Sequence, residues 1–593
     1  LKRRDLVACK KELEMKALRM EREQQNQQIE LLHLVNVREK KEVEKLRLGE
    51  GDTFHGEGIL AVTKALLQSG VSYVGGYQGA PISHLMDVLS DAEPVLDELG
   101  VHFEVCANEA SAAAMLAASI NYPVRGAVTW KSVVGTNVAA DGLSNLASAG
   151  VKGGALIVIG EDYGEGSSII QERTHAFAMK SSMCLLDPRP ELPTIVRMVE
   201  EAFRLSEASN MPAMLELRIR ACHVFGHFDA SNNTHPTFSR NKPIEEAEFE
   251  FSRVCLPPAT YSQEKQKINQ RLPAAIRYIA DNQLNEHFIG DIPEIGVIVQ
   301  GGIYNTLMRA FRQFGIADTY GKTRISTFVL NVTYPLVPEE IAEFCVGKTA
   351  VLIVEEGQPD FIEQAINAIL RKKDLNTQIC GKDVFPLAGE YTSEVMLRGI
   401  QGFISQHAPP QLDISETLAF IDTLFSDRDE AKETLGADFP VRTPSFCTGC
   451  PERPVFSAIK ILERELGPTH VSADIGCHTF AALPPFNVGN TVMGYGLGLA
   501  SSAGLAPNFN KRVISIMGDG GFWHNGLTSG ISNSAFNQTD TLTVIVDNGY
   551  AAATGGQDIP SSKGTTSPRN IRQSIEKAVR GVGIKWVRKV HTY

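Results

Sequence analysis

Two oxygen-bearing side chains near the C-terminal end are spaced to hold a metal ion against phosphate groups. Asp519 directly follows the apolar run 512–517 and its glycine, and Asn548 directly follows the apolar run 541–547. Such runs predict buried parallel strands, whose carboxyl ends are where open α/β sheets hold ligands. A carboxylate and an amide oxygen suit Mg²⁺, which takes further ligands from phosphate. The sequence therefore predicts a magnesium diphosphate site.

Glycines surround the aspartate of this site. Gly518, Gly520 and Gly521 let the backbone approach a phosphate group without an intervening Cβ. The alternative is a glycine turn between two core strands, which a lone Gly-Asp-Gly would favour. Asn548 at the right distance and the following segment 553–557 favour the ligand site instead.

The stretch 518–557 resembles the thiamine diphosphate motif of the 2-oxoacid:ferredoxin oxidoreductases, in particular that of the alpha subunit of indolepyruvate:ferredoxin oxidoreductase. The resemblance extends over most of the chain from about His55. It implies thiamine diphosphate and Mg²⁺ as cofactors and makes the backbone carbonyl of Tyr550 a third magnesium ligand. It also implies coenzyme contacts from Thr554, Gly555, Met493 and Gly494. Met493 is expected as an apolar wedge under the coenzyme, the alternative being a core methionine.

Composition limits the possible classes of protein. The 593 residues, 43% hydrophobic and 21% charged, indicate a soluble globular protein of three or four domains. A net charge of -12 argues against nucleic acid or an anionic membrane as a partner. The sequence has no apolar run of about 18 residues and no signal peptide, so a cytoplasmic protein is expected. The ten cysteines are mostly isolated and predict reduced thiols.

Strands that alternate with helices predict the elements that position the site. The expected fold class is α/β, with three doubly wound domains and mostly parallel sheets. The predicted divisions are a charged helical or disordered extension (1–54), a pyrimidine-binding domain (55–240), a linker (241–290), a transketolase C-terminal-like domain (291–405), a second linker (406–440) and a diphosphate-binding domain truncated at its C-terminus (441–593).

A lone acid in the first domain is the candidate catalytic group. Glu109 precedes an apolar, small-residue helix, where a buried carboxylate is costly unless it is paired or used. The alternative is a first-turn residue favoured by the helix dipole. The resemblance makes Glu109 the glutamate that hydrogen-bonds the pyrimidine ring of thiamine diphosphate and acts there as general acid and base. Desolvation is expected to raise its pKa.

Two further segments of this domain concern the substrate. The loop 76–83 resembles the family's Tyr-Pro-x-Thr-Pro-x-Ser loop, but Ala80 stands where the threonine lies beside the substrate. The missing hydroxyl makes it unsafe to carry over the family's substrate preference. The segment 129–141 resembles one that lines the cofactor cleft, and its Lys131 is the cation expected to meet the carboxylate of a 2-oxo acid. The alternative is a solvated lysine at a strand end.

Three cysteines raise the question of electron transfer. Cys447, Cys450 and Cys477 match three of the four thiolates that hold a [4Fe-4S] cluster in many members of the family. The fourth ligand is expected beyond the end of this sequence. Structural or zinc-binding thiols are the alternative, although a second ligand pair at zinc spacing is missing. His478 and His524 are expected near the diphosphate without an acid/base role.

The resemblance implies oxidative decarboxylation of a 2-oxo acid, an aryl pyruvate such as indolepyruvate, to an acyl-CoA. The electrons would pass through iron-sulfur clusters to ferredoxin. The implied partners are coenzyme A, ferredoxin and a smaller gamma-type subunit, in a dimer or heterotetramer. Two alternatives remain from the residues: a non-oxidative decarboxylase or carboligase that needs no cluster, and a non-catalytic scaffold subunit, for which the Ala80 departure leaves room.

Overall fold

The computed structural model describes residues 42–164, 170–412, 414–436, 443–562 and 571–592. Residues 1–41 of the predicted extension lie outside these ranges. The described chain forms three α/β units, each built around its own mainly parallel sheet with helices packed on it, which confirms the predicted fold class. No helix in the described ranges combines the length and the apolar character needed to span a membrane.

The strands alternate with helices along the chain. In chain order the strands are β1 (Thr53–Glu57), β2 (Tyr73–Gly76), β3 (His102–Val105), β4 (Gly126–Lys131), β5 (Ala155–Gly160), β6 (Cys184–Leu186), β7 (Ala213–Leu217), β8 (Phe225–Asp229), β9 (Glu286–Phe288), β10 (Ile292–Gln300), β11 (Ile325–Leu330), β12 (Val332–Tyr334), β13 (Ala350–Val354), β14 (Gln378–Cys380), β15 (Val471–Ala473), β16 (Thr491–Val492), β17 (Val513–Gly518) and β18 (Thr541–Val546). The main helices are Gly58–Gln68, Ser83–Asp91, Glu93–Leu99, Glu109–Met115, Ala118–Asn121, Val134–Ala149, Thr174–Ser181, Leu192–Ser209, Ile219–Cys222, Ala259–Gln266, Leu272–Asp281, Tyr304–Gln313, Pro338–Cys345, Phe361–Lys372, Ser393–His407, Ser415–Leu435, Glu452–Leu466, Gly498–Ser502, Asn533–Asn537 and Ile575–Gly581. A π-helical segment, Phe522–Ser532, continues the short turn Asp519–Gly521.

The first unit is built on a seven-stranded sheet of order β12-β6-β7-β5-β4-β2-β3. Its pairings are parallel except that β12, contributed by the second unit, runs antiparallel to β6. Every residue of β5 is buried because helices cover both faces, which explains its continuous apolar run. The carboxyl ends of β2 and β4 lie side by side and carry the loops that the sequence assigns to the site.

The second and third units are smaller. The second sheet has the order β14-β13-β10-β11-β9, with β9 antiparallel to β11. The third has the order β16-β15-β17-β18 and is parallel throughout. Its central strand β17 is almost wholly buried, whereas β18, at the edge of the sheet in the described chain, is only half-buried.

The segments predicted as linkers contain packed helices. Within 241–290, helix Leu272–Asp281 buries Ala275 and Ile279 against the core of the first unit. Within 406–440, helix Ser415–Leu435 buries two apolar side chains, Ile421 and Phe425, in the core of the second unit. Their polar composition conceals a narrow apolar stripe, and that stripe is enough to dock each helix.

Candidate active site

Glu109 is held at the start of a helix by a residue that also reaches the third unit. Asn108 caps helix Glu109–Met115, since its side-chain oxygen accepts a hydrogen bond from the backbone N–H of Ser111 at 3.0 Å. Its amide nitrogen donates to the backbone carbonyl of His524 at 3.0 Å. Asn108 therefore orients the helix that carries Glu109 and ties this helix to the last unit.

The carboxylate of Glu109 contacts a histidine that lies 415 positions later in the chain. Nε2 of His524 meets Oε2 of Glu109, and both side chains are buried. The rings of Tyr77 and Tyr495 lie on the histidine, with ring centroids 4.9 and 4.8 Å from its own. Burial raises the pKa of both tyrosines, so both hydroxyls stay protonated. The first and last units therefore meet at Glu109.

Asp519 lies in the turn that leads into the π-helical segment Phe522–Ser532, which carries His524. Strands β17 and β18 pair in parallel with Gly518 opposite Val546, so Asp519 and Asn548 emerge at the same sheet edge. Oδ2 of Asp519 accepts from the backbone N–H of Gly549 at 2.6 Å. Burial raises the pKa of the Asp519 carboxyl to about 6, and the N–H of Gly549 opposes that shift.

Two of the three glycines of this turn are required by close approach. A Cβ on Gly520 would overlap the hydroxyl of Tyr495, and one on Gly521 would overlap the carboxylate of Asp474. Gly518 has open space where its Cβ would point, which leaves room for a ligand beside the backbone. A diphosphate in that space needs Mg²⁺ between its own charge and that of the Asp519 carboxylate.

The oxygen donors at this edge fit Mg²⁺ in their chemistry. They are the Asp519 carboxylate, the Asn548 amide oxygen, which accepts from the N–H of Tyr550 at 3.2 Å, and the Tyr550 carbonyl. In the described ranges, no three His, Cys, Asp or Glu side chains are grouped as a metal site. A magnesium site of the kind predicted does not need such a group, because phosphate oxygens supply other ligands.

The remaining predicted coenzyme contacts lie around this turn. The hydroxyl of Thr554 donates to Oε1 of Gln557 at 2.7 Å, and Nε2 of Gln557 donates to the Asp87 carboxylate at 3.1 Å. Thr554 thus orients a second bridge between the first and third units. Gly555, with φ 120°, makes the turn between them.

Met493 and Gly494, the other two residues predicted to contact the coenzyme, make no bridge between units of the kind that Thr554 orients in the described chain. The side chain of Met493 is 55% exposed, so it is not a core methionine. Gly494 has φ 42°, which favours glycine, and its carbonyl accepts from the N–H of Ile475 at 3.1 Å. This contact fixes the backbone of the segment after β16.

The predicted substrate groups lie beside each other at the ends of β2 and β4. A Cβ on Gly79 would overlap the Cβ of Lys131, so the loop 76–83 packs directly on this lysine. Burial lowers the pKa of Lys131, while the charge of Asp162 opposes the shift. Gln78, two positions before Ala80, is 3% exposed, and among the described residues neither of its amide atoms has a hydrogen-bond partner.

The cysteines are near one another but do not form a ligand set. Burial raises the pKa of Cys477 to about 11, and the charges of Glu452, Cys450 and Cys447 add to the shift. Cys447 is exposed and Cys450 is partly exposed. Within the part of the chain that the structure describes, these thiols do not converge on a common metal position, so they do not fit a cluster by themselves.

His478 contacts Asp474, whose carboxylate lies next to Gly521. Its Nε2 lies 2.9 Å from the carbonyl of Asp474 and also contacts the Asp474 carboxylate. Burial lowers the pKa of His478, but the carboxylates of Asp474 and Glu452 outweigh this and raise it overall. His478 therefore supports Asp474, which in turn packs behind Gly521.

Sequence reasoning missed the roles of three residues in this site. His524 was expected near the diphosphate, but no local signal indicated its contact with Glu109, because that contact depends on the docking of two units. Asn108 carries a detectable signal, since an asparagine directly before a helix is a common N-cap. Gln78 could have been noticed as an amide placed at the end of a buried strand.

The chain is similar in sequence to known proteins. Residues 474–593 match the family described as thiamine pyrophosphate enzyme, C-terminal TPP binding domain. The indolepyruvate oxidoreductase subunit IorA of Methanothermobacter thermautotrophicus is 28% identical over 560 residues, covering 92% of this chain and 83% of that protein. The subunit of the same name from Thermococcus kodakarensis is 26% identical over 551 residues, covering 90% and 81%.

Solved structures show weaker similarity. A 2-oxoglutarate:ferredoxin oxidoreductase from Magnetococcus marinus aligns with a TM-score of 0.44 and 13% identity, covering 60% of this chain and 65% of that one. A split gene transketolase aligns with a TM-score of 0.35 and 13% identity, covering 60% and 96%.

The match over residues 474–593 indicates a thiamine diphosphate-binding domain in the last unit. Over about nine-tenths of its length the chain is similar to the IorA subunits of indolepyruvate oxidoreductase, which confirms the resemblance that its motifs predict.

Proposed function

We propose that this chain is the coenzyme-binding subunit of an enzyme that decarboxylates a 2-oxo acid oxidatively. The proposed substrate is an aryl pyruvate such as indolepyruvate, coenzyme A takes the acyl group, and ferredoxin takes the electrons. The observation that carries the proposal is the meeting of Glu109 from the first unit with the segment that begins at Asp519 in the third. A single coenzyme between two units requires this juxtaposition.

Each half of the site has its own task. Bound thiamine diphosphate supplies the carbon nucleophile for the keto carbon and accepts the electrons left when CO₂ departs. Asp519, Asn548 and the Tyr550 carbonyl hold Mg²⁺ against the diphosphate, and Gly518, Gly520 and Gly521 let the backbone approach it. Glu109 holds and moves a proton at the pyrimidine ring from a water-free position.

Recognition of the substrate carboxylate is assigned to the ends of β2 and β4. Lys131 supplies the positive charge, and the loop against it carries the amide of Gln78, whose hydrogen-bonding atoms have no partner in the part of the chain that the structure describes. An amide buried in this way costs about 1–3 kcal/mol unless a ligand satisfies it. The amide of Gln78 thereby offers a polar contact in place of the hydroxyl group that is missing at Ala80, where the family has a threonine.

Electron exit and assembly follow from the similarity to subunits of a multi-subunit enzyme. We assign a smaller gamma-type subunit as partner, in a dimer or heterotetramer. Cys447, Cys450 and Cys477 are the candidate ligands of a [4Fe-4S] cluster, which requires a further ligand and a closer arrangement of these three thiols.

Anaerobic reduction of a viologen dye tests the function. The full-length protein with its partner subunit is supplied with coenzyme A and a panel of aryl, branched and short 2-oxo acids. The proposal expects dye reduction that depends on coenzyme A, highest with aryl pyruvates, and lost in Glu109→Gln. Decarboxylation without dye reduction, in protein free of iron, would establish the non-oxidative alternative instead.

Coenzyme binding separates the enzyme from the scaffold alternative. Titration with thiamine diphosphate in the presence of Mg²⁺ should release heat in the wild type and not in Asp519→Ala. Absence of binding in the wild type would identify a scaffold subunit.

A further inference from the structure

The hydrogen bonds of Asn525 fix the proton positions of His524. Nδ2 of Asn525 lies 3.2 Å from the backbone carbonyl oxygen of Tyr495 and 3.0 Å from Nδ1 of His524. A carbonyl oxygen can only accept, so the side-chain atom that faces it must be the amide nitrogen. The same NH₂ group donates its other hydrogen to Nδ1, which therefore carries no proton.

The opposite ring nitrogen must then be the donor. With Nδ1 as acceptor, the neutral imidazole carries its hydrogen on Nε2, the atom that contacts Oε2 of Glu109. The rings of Tyr77 and Tyr495 lie against the imidazole and hold its plane. Asn525, His524 and Glu109 thus form a directed chain of hydrogen bonds from the third unit into the first.

We propose that His524, oriented by Asn525, is a positioning residue for Glu109. It engages one carboxylate oxygen and presents the other to the pyrimidine ring of the coenzyme. This inference rests on the proposed function, because it takes Glu109 as the partner of that ring. It assigns to the segment after Asp519 a second role: besides the metal side of the site, this segment orients the acid of the opposite unit.

Four variants of the full-length protein test the chain of hydrogen bonds. His524→Leu removes the donor, whereas His524→Gln keeps an N–H group at similar reach. Asn525→Leu removes the donor to Nδ1 at a similar side-chain volume, so the tautomer that turns a lone pair of Nε2 toward Glu109 is no longer excluded. Asn525→Ala removes the donor and the volume together.

The measurements are the affinity for thiamine diphosphate with Mg²⁺ by titration calorimetry, and the near-UV circular dichroism of the bound coenzyme, which reports the tautomer of its pyrimidine. His524→Leu should lower the imino-tautomer signal by about tenfold or more while the affinity changes only a few-fold, since it removes the hydrogen bond that orients the carboxyl group of Glu109. The signal of His524→Gln should stay within about threefold of the wild type, and the signals of Asn525→Leu and Asn525→Ala should lie between.

The decisive comparison is His524→Gln with His524→Leu, because only the first variant keeps an N–H donor toward Glu109. Wild-type dichroism in His524→Leu would overturn the inference and leave the proposed function intact, and so would equal losses of dichroism in the two variants, which would show that packing alone matters. No coenzyme binding by the wild type would overturn the proposed function and this inference together. Thermal unfolding of each variant identifies any that fail to fold, in which case the remaining pair decides.

Discussion

The two halves of the candidate site are enclosed to very different degrees. On the side of the first unit, Glu109, Tyr77 and Gln78 are all less than 5% exposed, and they stand on a sheet with helices on both faces. On the side of the third unit, Asp519 is buried, but the side chains of Met493 and Tyr550 are 55% and 45% exposed. Strand β18, which leads to Asn548, lies at a half-buried edge.

On the acid side the fold alone sets the geometry of the site, whereas on the metal side bound ligands complete it. The acid side is held by the N-cap, by aromatic packing and by the contact with His524, so its geometry exists without a coenzyme. The metal side presents its oxygens at a sheet edge, where Mg²⁺ and phosphate supply the missing partners. Variants on the metal side should therefore affect binding, and variants on the acid side should affect chemistry.

The largest effect on coenzyme binding is expected on the metal side. Asp519→Ala removes the buried carboxylate that faces the metal, so affinity for thiamine diphosphate with Mg²⁺ should fall by about a hundredfold or more. Calorimetric titration measures the loss. Asp540→Asn, at an exposed carboxylate before β18, is the matched control and should bind normally. Normal binding by Asp519→Ala would refute the assignment of the metal side.

On the acid side the expected effect is on turnover. Glu109→Gln keeps the volume of the side chain but cannot exchange a proton, so the decarboxylation rate should fall by about 10²–10⁴ while coenzyme affinity changes only a few-fold. Steady-state assay of dye reduction and titration of the coenzyme separate the two quantities. Glu104→Gln, on the exposed part of β3, is the control. If Glu109→Gln lost as much coenzyme affinity as rate, the distinction between a metal side that binds and an acid side that does chemistry would be refuted.

The free energy of unfolding of the coenzyme-free protein should depend on pH, because the buried Asp519 carboxylate destabilises the fold when it is ionised. Its folded-state pKa of about 6 exceeds the ordinary value of 3.8, so ionisation destabilises the coenzyme-free fold. This cost is absent below about pH 4, develops between about pH 4 and 6, and is complete above. In Asp519→Asn the cost disappears, so the variant should gain roughly 3 kcal/mol relative to the wild type between about pH 4 and 7. Urea unfolding at several pH values measures this gain, and a constant difference between the proteins would contradict it.

A smaller effect is expected at Gln557, whose hydrogen bond to Asp87 joins the third unit to the first outside the reacting centre. Gln557→Ala breaks the hydrogen bond to the half-exposed Asp87, so affinity for the coenzyme between the units should fall by about threefold. Thr554→Val, which removes the hydroxyl that orients Gln557, should have a similar effect. Wild-type affinity in both variants would show that this bridge does not contribute to binding.

The smallest effect is expected at Met493. Because its side chain is mainly exposed, Met493→Ala should change both coenzyme affinity and turnover by less than about twofold. Calorimetry and dye reduction again provide the measurements. A loss of more than about tenfold in turnover at unchanged affinity would instead support the predicted wedge under the coenzyme, and would mean that the metal side closes further when the coenzyme binds.

Much of the architecture could be predicted from local patterns. Buried parallel strands such as β5 and β17 are apolar from end to end, and each ends at a motif with ligand chemistry. The packed helix Ser415–Leu435 was not predicted, because a charged sequence with two apolar anchors resembles a linker until its partner surface is known. The contacts of Lys131 and Gln78 were also beyond the sequence, since they depend on how the ends of two adjacent strands pack.

By itself the sequence determined the chemistry that each unit offers: an acid before an apolar helix, a glycine turn around Asp519, and an amide oxygen at Asn548. Those features are local, because strand ends and turns are set by residues close in the chain. Only the tertiary structure decided that Nε2 of His524 meets Glu109 across 415 positions and that Asn525 fixes its proton. That contact arises from the docking of two separately folded sheets, and no local pattern of residues specifies the face on which they meet.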